Sequence, residues 1–165
     1  MELIIIAHNL RSTHNVGSLL RTAEGLGVTV ILSGYTPYPV VRNDGRLPHI
    51  AQKLNRQISK TALGAETQPI WSHEIDIDRT LDRLQLEGYT IGALEQTANS
   101  VSLPTYHPPE KLAIILGREV EGVEPDLLQK CAVTIEIPMF GQKESYNVVQ
   151  AAAMAMYHCR LAQAV

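Results

Sequence analysis

Cysteine is scarce. The chain holds only Cys131 and Cys159, at no spacing that suits a thiolate metal centre, and with no secretory context a disulfide scaffold is excluded too. Both read as ordinary reduced residues in or near the core. Long apolar runs are absent as well. The apolar start, Leu3 to Ala7, lacks the basic flank and the length of a signal sequence, and no later run approaches a membrane span. The expectation is a cytoplasmic protein with no membrane partner. Repeats, low-complexity tracts and linkers are missing, so 165 residues at 45% hydrophobic content read as a single domain over 1–165, long enough to bury most of its apolar surface. No separate binding or regulatory domain fits beside it.

Charge is present but uneven. Residues 1–60 carry seven basic groups (Arg11, Arg21, Arg42, Arg46, Lys53, Arg56, Lys60) against Glu2, Glu24 and Asp44, a net of +4. Residues 61–165 carry seven basic and fourteen acidic groups, a net of −7. Phosphate binding depends on a local patch and not on overall pI, so the N-terminal third suits a nucleic-acid partner, with Arg11, Arg42, Arg46, Lys53 and Arg56 as candidate contacts. A solvated surface of uneven charge accounts for the composition equally well.

Strand-like and helix-like segments alternate, the pattern of an α/β fold with a mainly parallel sheet flanked by helices. Strands are expected near 3–6, 28–32, 69–72, 89–94, 112–116 and 133–137. Helices are expected over Asn15–Gly25, Ile77–Glu87, Pro125–Cys131 and Asn147–Ala162, with Asp76 and Asn147 as N-caps. A weaker helical pattern runs between Ile50 and Lys60. The stretch Ser33–Pro48, with three prolines and two tyrosines, is long for a simple connection and is a candidate substrate-facing loop.

Three polar clusters each follow an apolar strand: Asn9 to Arg21, Gly117-Arg118-Glu119, and Pro138 to Asn147. Open α/β sheets bind ligands beyond the carboxyl ends of their strands, so the three are expected to share one site. In the first helix, Val16, Leu19, Ala23 and Leu26 form an apolar stripe, and Gly17, Arg21 and Gly25 line the opposite side. A mid-helix glycine costs about 1 kcal/mol relative to alanine, so the pair suggests a close approach around Arg21. A surface arginine near a helix end is the plainer alternative. Glu119 follows Gly117 where a carboxylate could accept hydrogen bonds, and Ser145 or Asn147 would present oxygen beside free helix N-terminal amides.

Together these residues resemble the SpoU, or TrmH-like, branch of the SPOUT RNA methyltransferases over nearly the whole chain. The first motif is matched by Asn9 to Gly17 with Arg21, the second by Leu116 to Gly122, the third by Ile137-Pro138-Met139 through Ser145-Tyr146-Asn147-Val148. The resemblance implies methyl transfer from S-adenosyl-L-methionine to a ribose 2'-hydroxyl of RNA, leaving S-adenosyl-L-homocysteine, with no metal required. It also implies a C-terminal trefoil knot and a homodimer whose site is completed across subunits. The implied cofactor positions are Leu94, Gly117, Ile137, Met139, Ser145 and Tyr146. The implied catalytic set is Arg21, Asn15, Glu119, Ser145 and Asn147. Because a guanidinium serves poorly as a base, Arg21 is expected to clamp the adjacent phosphate, with base action left open.

Departures from the family pattern fall at Arg118, Tyr146 and Gln150. The chain shows neither the N-terminal extension of many ribosomal-RNA members nor a long terminal arm, which favours tRNA over rRNA as the expected substrate. Two other classes fit parts of the pattern: a non-catalytic RNA- and cofactor-binding relative, and a generic nucleotide-binding α/β domain.

Overall fold

In the computed structural model, which describes residues 1–162, seven strands form one sheet in the order β3-β2-β1-β6-β4-β7-β5, every neighbouring pair parallel. In chain order the elements are β1 (Glu2–His8), α1 (Thr13–Leu26), β2 (Thr29–Ser33), α2 (Pro48–Ala62), β3 (Trp71–Glu74) and α3 (Ile77–Leu86). They continue with β4 (Thr90–Leu94), β5 (Val101–Ser102), β6 (Lys111–Leu116), α4 (Pro125–Leu128), β7 (Val133–Glu136) and α5 (Val148–Leu161). Parallel strands place all carboxyl ends on one edge, which brings the loops after β1, β4, β6 and β7 together.

The central strands are buried on both faces, which is why they read as unbroken apolar runs and not as alternating ones. Leu3, Ile5 and Ala7 of β1 face a layer built from α1, α2 and α5; Ile4 and Ile6 face α3 and α4. Each fully buried isoleucine contributes about 1.5–3 kcal/mol of transfer free energy, so this strand alone anchors both layers. Cys159 is buried and Cys131 half-buried, both free, and burial pushes each thiol up to about 11. No helix among the described residues is long and apolar enough to cross a membrane.

Local chemistry sets the helix ends. Ser12 Oγ accepts from the Asn15 amide (3.2 Å), and α1 stops at Gly27, whose φ of 61° is left-handed. Asp76 caps α3 through the Arg79 amide (3.0 Å), and Asn147 caps α5 through the Val149 amide (2.9 Å), as the sequence predicts.

All six expected strands are present, and β5 is an addition too short for its periodicity to register. The weak pattern at Ile50–Lys60 becomes the full helix α2, and α4 is shorter than the expected Pro125–Cys131. The two glycines of α1 part company. A Cβ on Gly17 would collide with Thr61 Oγ1 and the Ile58 carbonyl, so Gly17 is what lets α1 lie against α2, whereas Gly25 has open space around it. The close approach expected at the glycine pair is therefore met at Gly17, by the backbone of α2, and not at Gly25.

Candidate functional site

Beyond β4, β6 and β7 the chain forms a cleft. Past Leu116 it turns back on itself: the Arg118 amide donates to the Gly122 carbonyl and the Gly122 amide to the Arg118 carbonyl, both at 3.0 Å. A Cβ on Gly117 would collide with the returning backbone at Gly122 and Val123, so glycine is required there. Glu95, directly after β4, pins this turn from the other wall: its carboxylate accepts from the amides of Val123 (3.0 Å) and Gln96 (2.9 Å).

Leu94, Gly117, Ile137, Met139, Ser145 and Tyr146, the six positions expected to hold a cofactor, all line this single cleft. Leu116, Ile135 and Val148 complete its apolar walls, and Glu95, Glu119 and Glu136 supply carboxylates. Arg118 also lines it; its guanidinium lies near Glu124 (3.5 Å) and Glu121 (3.9 Å), and its Nε is buried without a hydrogen-bond partner among the described residues.

At the cleft mouth the three motif segments are joined by side chains. Glu119 Oε1 accepts from the Arg11 amide (3.3 Å), the Ser12 amide (3.2 Å) and Asn15 Nδ2 (3.2 Å). Asn15 Oδ1 in turn accepts from Asn147 Nδ2 at 3.4 Å. Partial desolvation pulls the Glu119 carboxyl upward, but hydrogen bonds from its own amide, Ser12, Arg11 and Asn15 outweigh it and hold the group below the usual carboxylate value. Glu119 is thus an ionised, acceptor-only group that orients the Asn15 amide.

Arg21 stands elsewhere. It lies nearly two turns further along α1, exposed, in a shallow groove shared with Lys60 of α2 and with Met154 and Tyr157 of α5. Within one chain it therefore does not join Asn15, Glu119, Ser145 and Asn147, because helix geometry carries it past them and around to another face.

The basic residues divide in the same way. Arg42, Lys53 and Arg56 are exposed, and Arg11 is exposed with its guanidinium 3.2 Å from Glu121. Arg46 is instead turned into its own loop: it donates to the Asp44 carboxylate and to the carbonyls of Tyr38 (2.8 Å) and Pro39 (3.0 Å). Its donors are engaged in shaping the loop, which removes it from the expected phosphate contacts.

Sequence reasoning misses Glu95, although its place directly after a strand is an available signal. It also misses His8, and it names Asn9 only as the first residue of a motif, with no role. His8 is buried, which lowers its pKa, and Asn9 Nδ2 donates to His8 Nε2 (2.9 Å), leaving the ring proton on Nδ1 for Ser33 Oγ (3.2 Å). Asn9 Nδ2 reaches Glu124 as well (3.4 Å), tying the end of β1 to the loop after β6.

A model of the SpoU rRNA Methylase family matches residues 2–157 of this chain. The tRNA (guanosine(18)-2'-O)-methyltransferase TARBP1 of Mus musculus is 30% identical over 161 residues, covering 94% of this chain and 9% of that protein. The 23S rRNA (guanosine-2'-O-)-methyltransferase RlmB of Neisseria meningitidis serogroup B is 29% identical over 160 residues, covering 96% of this chain and 58% of that protein. The chain thus spans well under two thirds of either relative. The crystal structure of the SpoU methyltransferase AviRb from Streptomyces viridochromogenes in complex with the cofactor AdoMet is similar with a TM-score of 0.81 at 16% identity. That match covers 99% of this chain and 58% of the other, and at such identity it speaks for the fold.

Proposed function

The chain belongs to the SpoU rRNA Methylase family, and from that premise we propose that it transfers a methyl group from S-adenosylmethionine to a ribose 2'-hydroxyl of RNA. The observation that carries the reading is the chain of contacts Glu119–Asn15–Asn147 at the mouth of the cleft that holds all six candidate cofactor positions.

The cleft suits this cofactor chemically. Its aliphatic walls accept an adenine ring, and its carboxylates match ribose hydroxyls and a cationic sulfonium. Leu94, Gly117, Ile137, Met139, Ser145 and Tyr146 would hold it, with Glu95 and Glu136 as further acceptors. When bound, S-adenosylmethionine supplies an activated methyl group on sulfur. The chain's own residues align the acceptor: ionised Glu119 fixes Asn15, Asn15 fixes Asn147, and these amides with Ser145 orient the ribose at the cleft mouth.

Arg21 enters from a second copy in this reading. Its groove on α1 and α5 is flanked by Gly25, by Ala153 and by exposed Tyr157, small and aromatic surface that suits a homodimer interface. From there the guanidinium clamps the phosphate beside the reacting ribose in the partner's site and offsets the negative charge developing on the 2'-oxygen. The strand order places β4 between β6 and β7, and this interleaving supports a trefoil knot in the loops that form the cleft. Exposed Arg42, Lys53 and Arg56 provide phosphate contacts.

The mouse relative is named for tRNA and the bacterial one for rRNA. We take tRNA as the first substrate to test, with rRNA beside it, and the cytoplasm as the place of action, with which the two free thiols are compatible. The test is transfer of labelled methyl from S-adenosylmethionine to total tRNA and, separately, to rRNA. Label in one pool identifies the substrate class. No label in either, with S-adenosylhomocysteine still bound, would leave a non-catalytic binder in place of an enzyme.

A further inference from the structure

A second concavity lies beside the first, beyond the carboxyl ends of β1, β2 and β3, walled by Tyr35, Tyr38, His73 and Ile75 with Ser12 and Gln57 at its edges. Its floor is a turn tied down at every residue. The Gly34 amide donates to the Glu74 carbonyl (3.1 Å), the Tyr35 amide to Asn9 Oδ1 (3.1 Å), and Thr36 Oγ1 to the Ala7 carbonyl (2.8 Å) while accepting from the Leu10 amide (3.1 Å). Asn9 and Gly34 both hold left-handed φ values, 56° and 66°, and a Cβ on Gly34 would collide with the Asn9 side chain.

On this fixed backbone Tyr35 stands 54% exposed, and Ile75 on the facing loop is 80% exposed. The other aromatic ring is occupied. Tyr38 is sandwiched between His73, with ring centroids 3.8 Å apart, and the Arg46 guanidinium, 3.5 Å from its centroid. Tyr38 is therefore a rigid wall, and Tyr35 is the ring left with an open face. Tyr35 and Arg11 line the same concavity. Arg11 is also the residue whose amide holds Glu119 (3.3 Å). The concavity is thus contiguous with the Glu119–Asn15–Asn147 cluster. Its other flank is α2, where Leu54 and Gln57 line the space and the neighbouring Lys53 and Arg56 are exposed cations.

We propose that this concavity takes an unstacked nucleobase of the RNA, one near the methylated ribose, stacked on Tyr35 with Gln57 and Ser12 reading its edge. The proposal rests on the RNA methyltransferase reading and adds to it a base-recognition subsite. Single-stranded RNA is recognised through bases splayed onto aromatic rings, with cations nearby on the backbone. An exposed tyrosine on a fully hydrogen-bonded turn, beside Arg11 and next to the cation-bearing α2, meets that requirement.

The test uses three variants of the full chain. Tyr35→Ala should raise KM for total tRNA roughly 5- to 150-fold, the range expected for loss of one base–aromatic stack, with kcat at saturating tRNA and S-adenosylhomocysteine affinity unchanged. Tyr35→Phe, which keeps the ring, should stay near wild type. Tyr35→Trp should show fluorescence quenched by tRNA beyond the quenching that Trp71 gives in the parent protein. An unchanged KM for Tyr35→Ala in an enzyme that methylates tRNA, or no added quenching, would overturn the subsite while leaving the enzyme reading intact. Quenching without methyl transfer to tRNA or rRNA would uphold the subsite and defeat the enzyme reading.

Discussion

Replacing Glu119 with alanine separates the architecture of the site from its chemistry. The carboxylate accepts from two amides at the head of α1 and from the Asn15 side chain. Hydrogen bonds to a charged group are worth about 1.5–3 kcal/mol each where water is excluded. Glu119 is exposed, however, and water replaces it at the freed amides, so the summed loss is discounted to about 1 kcal/mol. For a chain of this size that lowers Tm by only about 2–4 °C. The effect on rate is larger. Asn15 loses the acceptor that fixes its amide, Asn147 loses its partner's orientation, and misplacement of a positioning group by about 1 Å costs on the order of 100-fold. Single-turnover methyl transfer to tRNA at saturating S-adenosylmethionine, beside a circular-dichroism melt, reads both quantities. Glu119→Gln should recover part of the rate, because Oε1 receives all three donors and an amide carbonyl can stand in its place. A wild-type rate in Glu119→Ala, or a loss no greater than the unfolded fraction, would show that Glu119 does not position Asn15 for the reaction.

Three further outcomes are expected. Arg21→Ala should abolish methyl transfer and leave S-adenosylhomocysteine affinity nearly intact, and mixing it with an Asn147→Ala variant should restore part of the activity through hybrid dimers; no restoration would count against a site shared between copies. Lys53→Ala combined with Arg56→Ala should weaken tRNA binding and flatten the slope of log affinity against log salt by about 0.9 for each duplex phosphate no longer neutralised; an identical slope would discard that face. The Glu119 carboxyl is held below its ordinary value of 4.5, so its contribution to stability is complete above that value and lost as pH falls through the lowered folded pKa. Tm curves of wild type and Glu119→Ala should therefore draw together as pH falls from 4.5 through the lowered folded pKa, and curves that stay parallel to the acid limit would contradict the lowered pKa.

Features with a local signal are the ones the sequence reveals. The strands around Ile4, Ile31, Ile91 and Ile114 announce themselves because both faces are buried. The six candidate cofactor positions reach one cleft because each ends or follows a strand or directly precedes α5. Helix α2 is faint because only Ala51, Ile58 and Ala62 are buried in it, so most of its length carries a solvated pattern. Arg46 counts as a surface cation because nothing in composition shows that Asp44 and two carbonyls of its own loop engage it. Tyr35 and His73 come together only through the β2–β3 pairing, which places a loop of the N-terminal third beside the end of a later strand.

The proposed reaction stands or falls on the methyl group landing on a ribose oxygen. The decisive experiment digests tRNA to nucleosides after incubation with labelled S-adenosylmethionine and resolves them by mass spectrometry. Label is expected in a 2'-O-methylnucleoside, with the extra mass on the ribose fragment and none on the base. Label on a base fragment would mean that the enzyme methylates a different atom and that the ribose-orienting role of Asn15 and Asn147 is wrong.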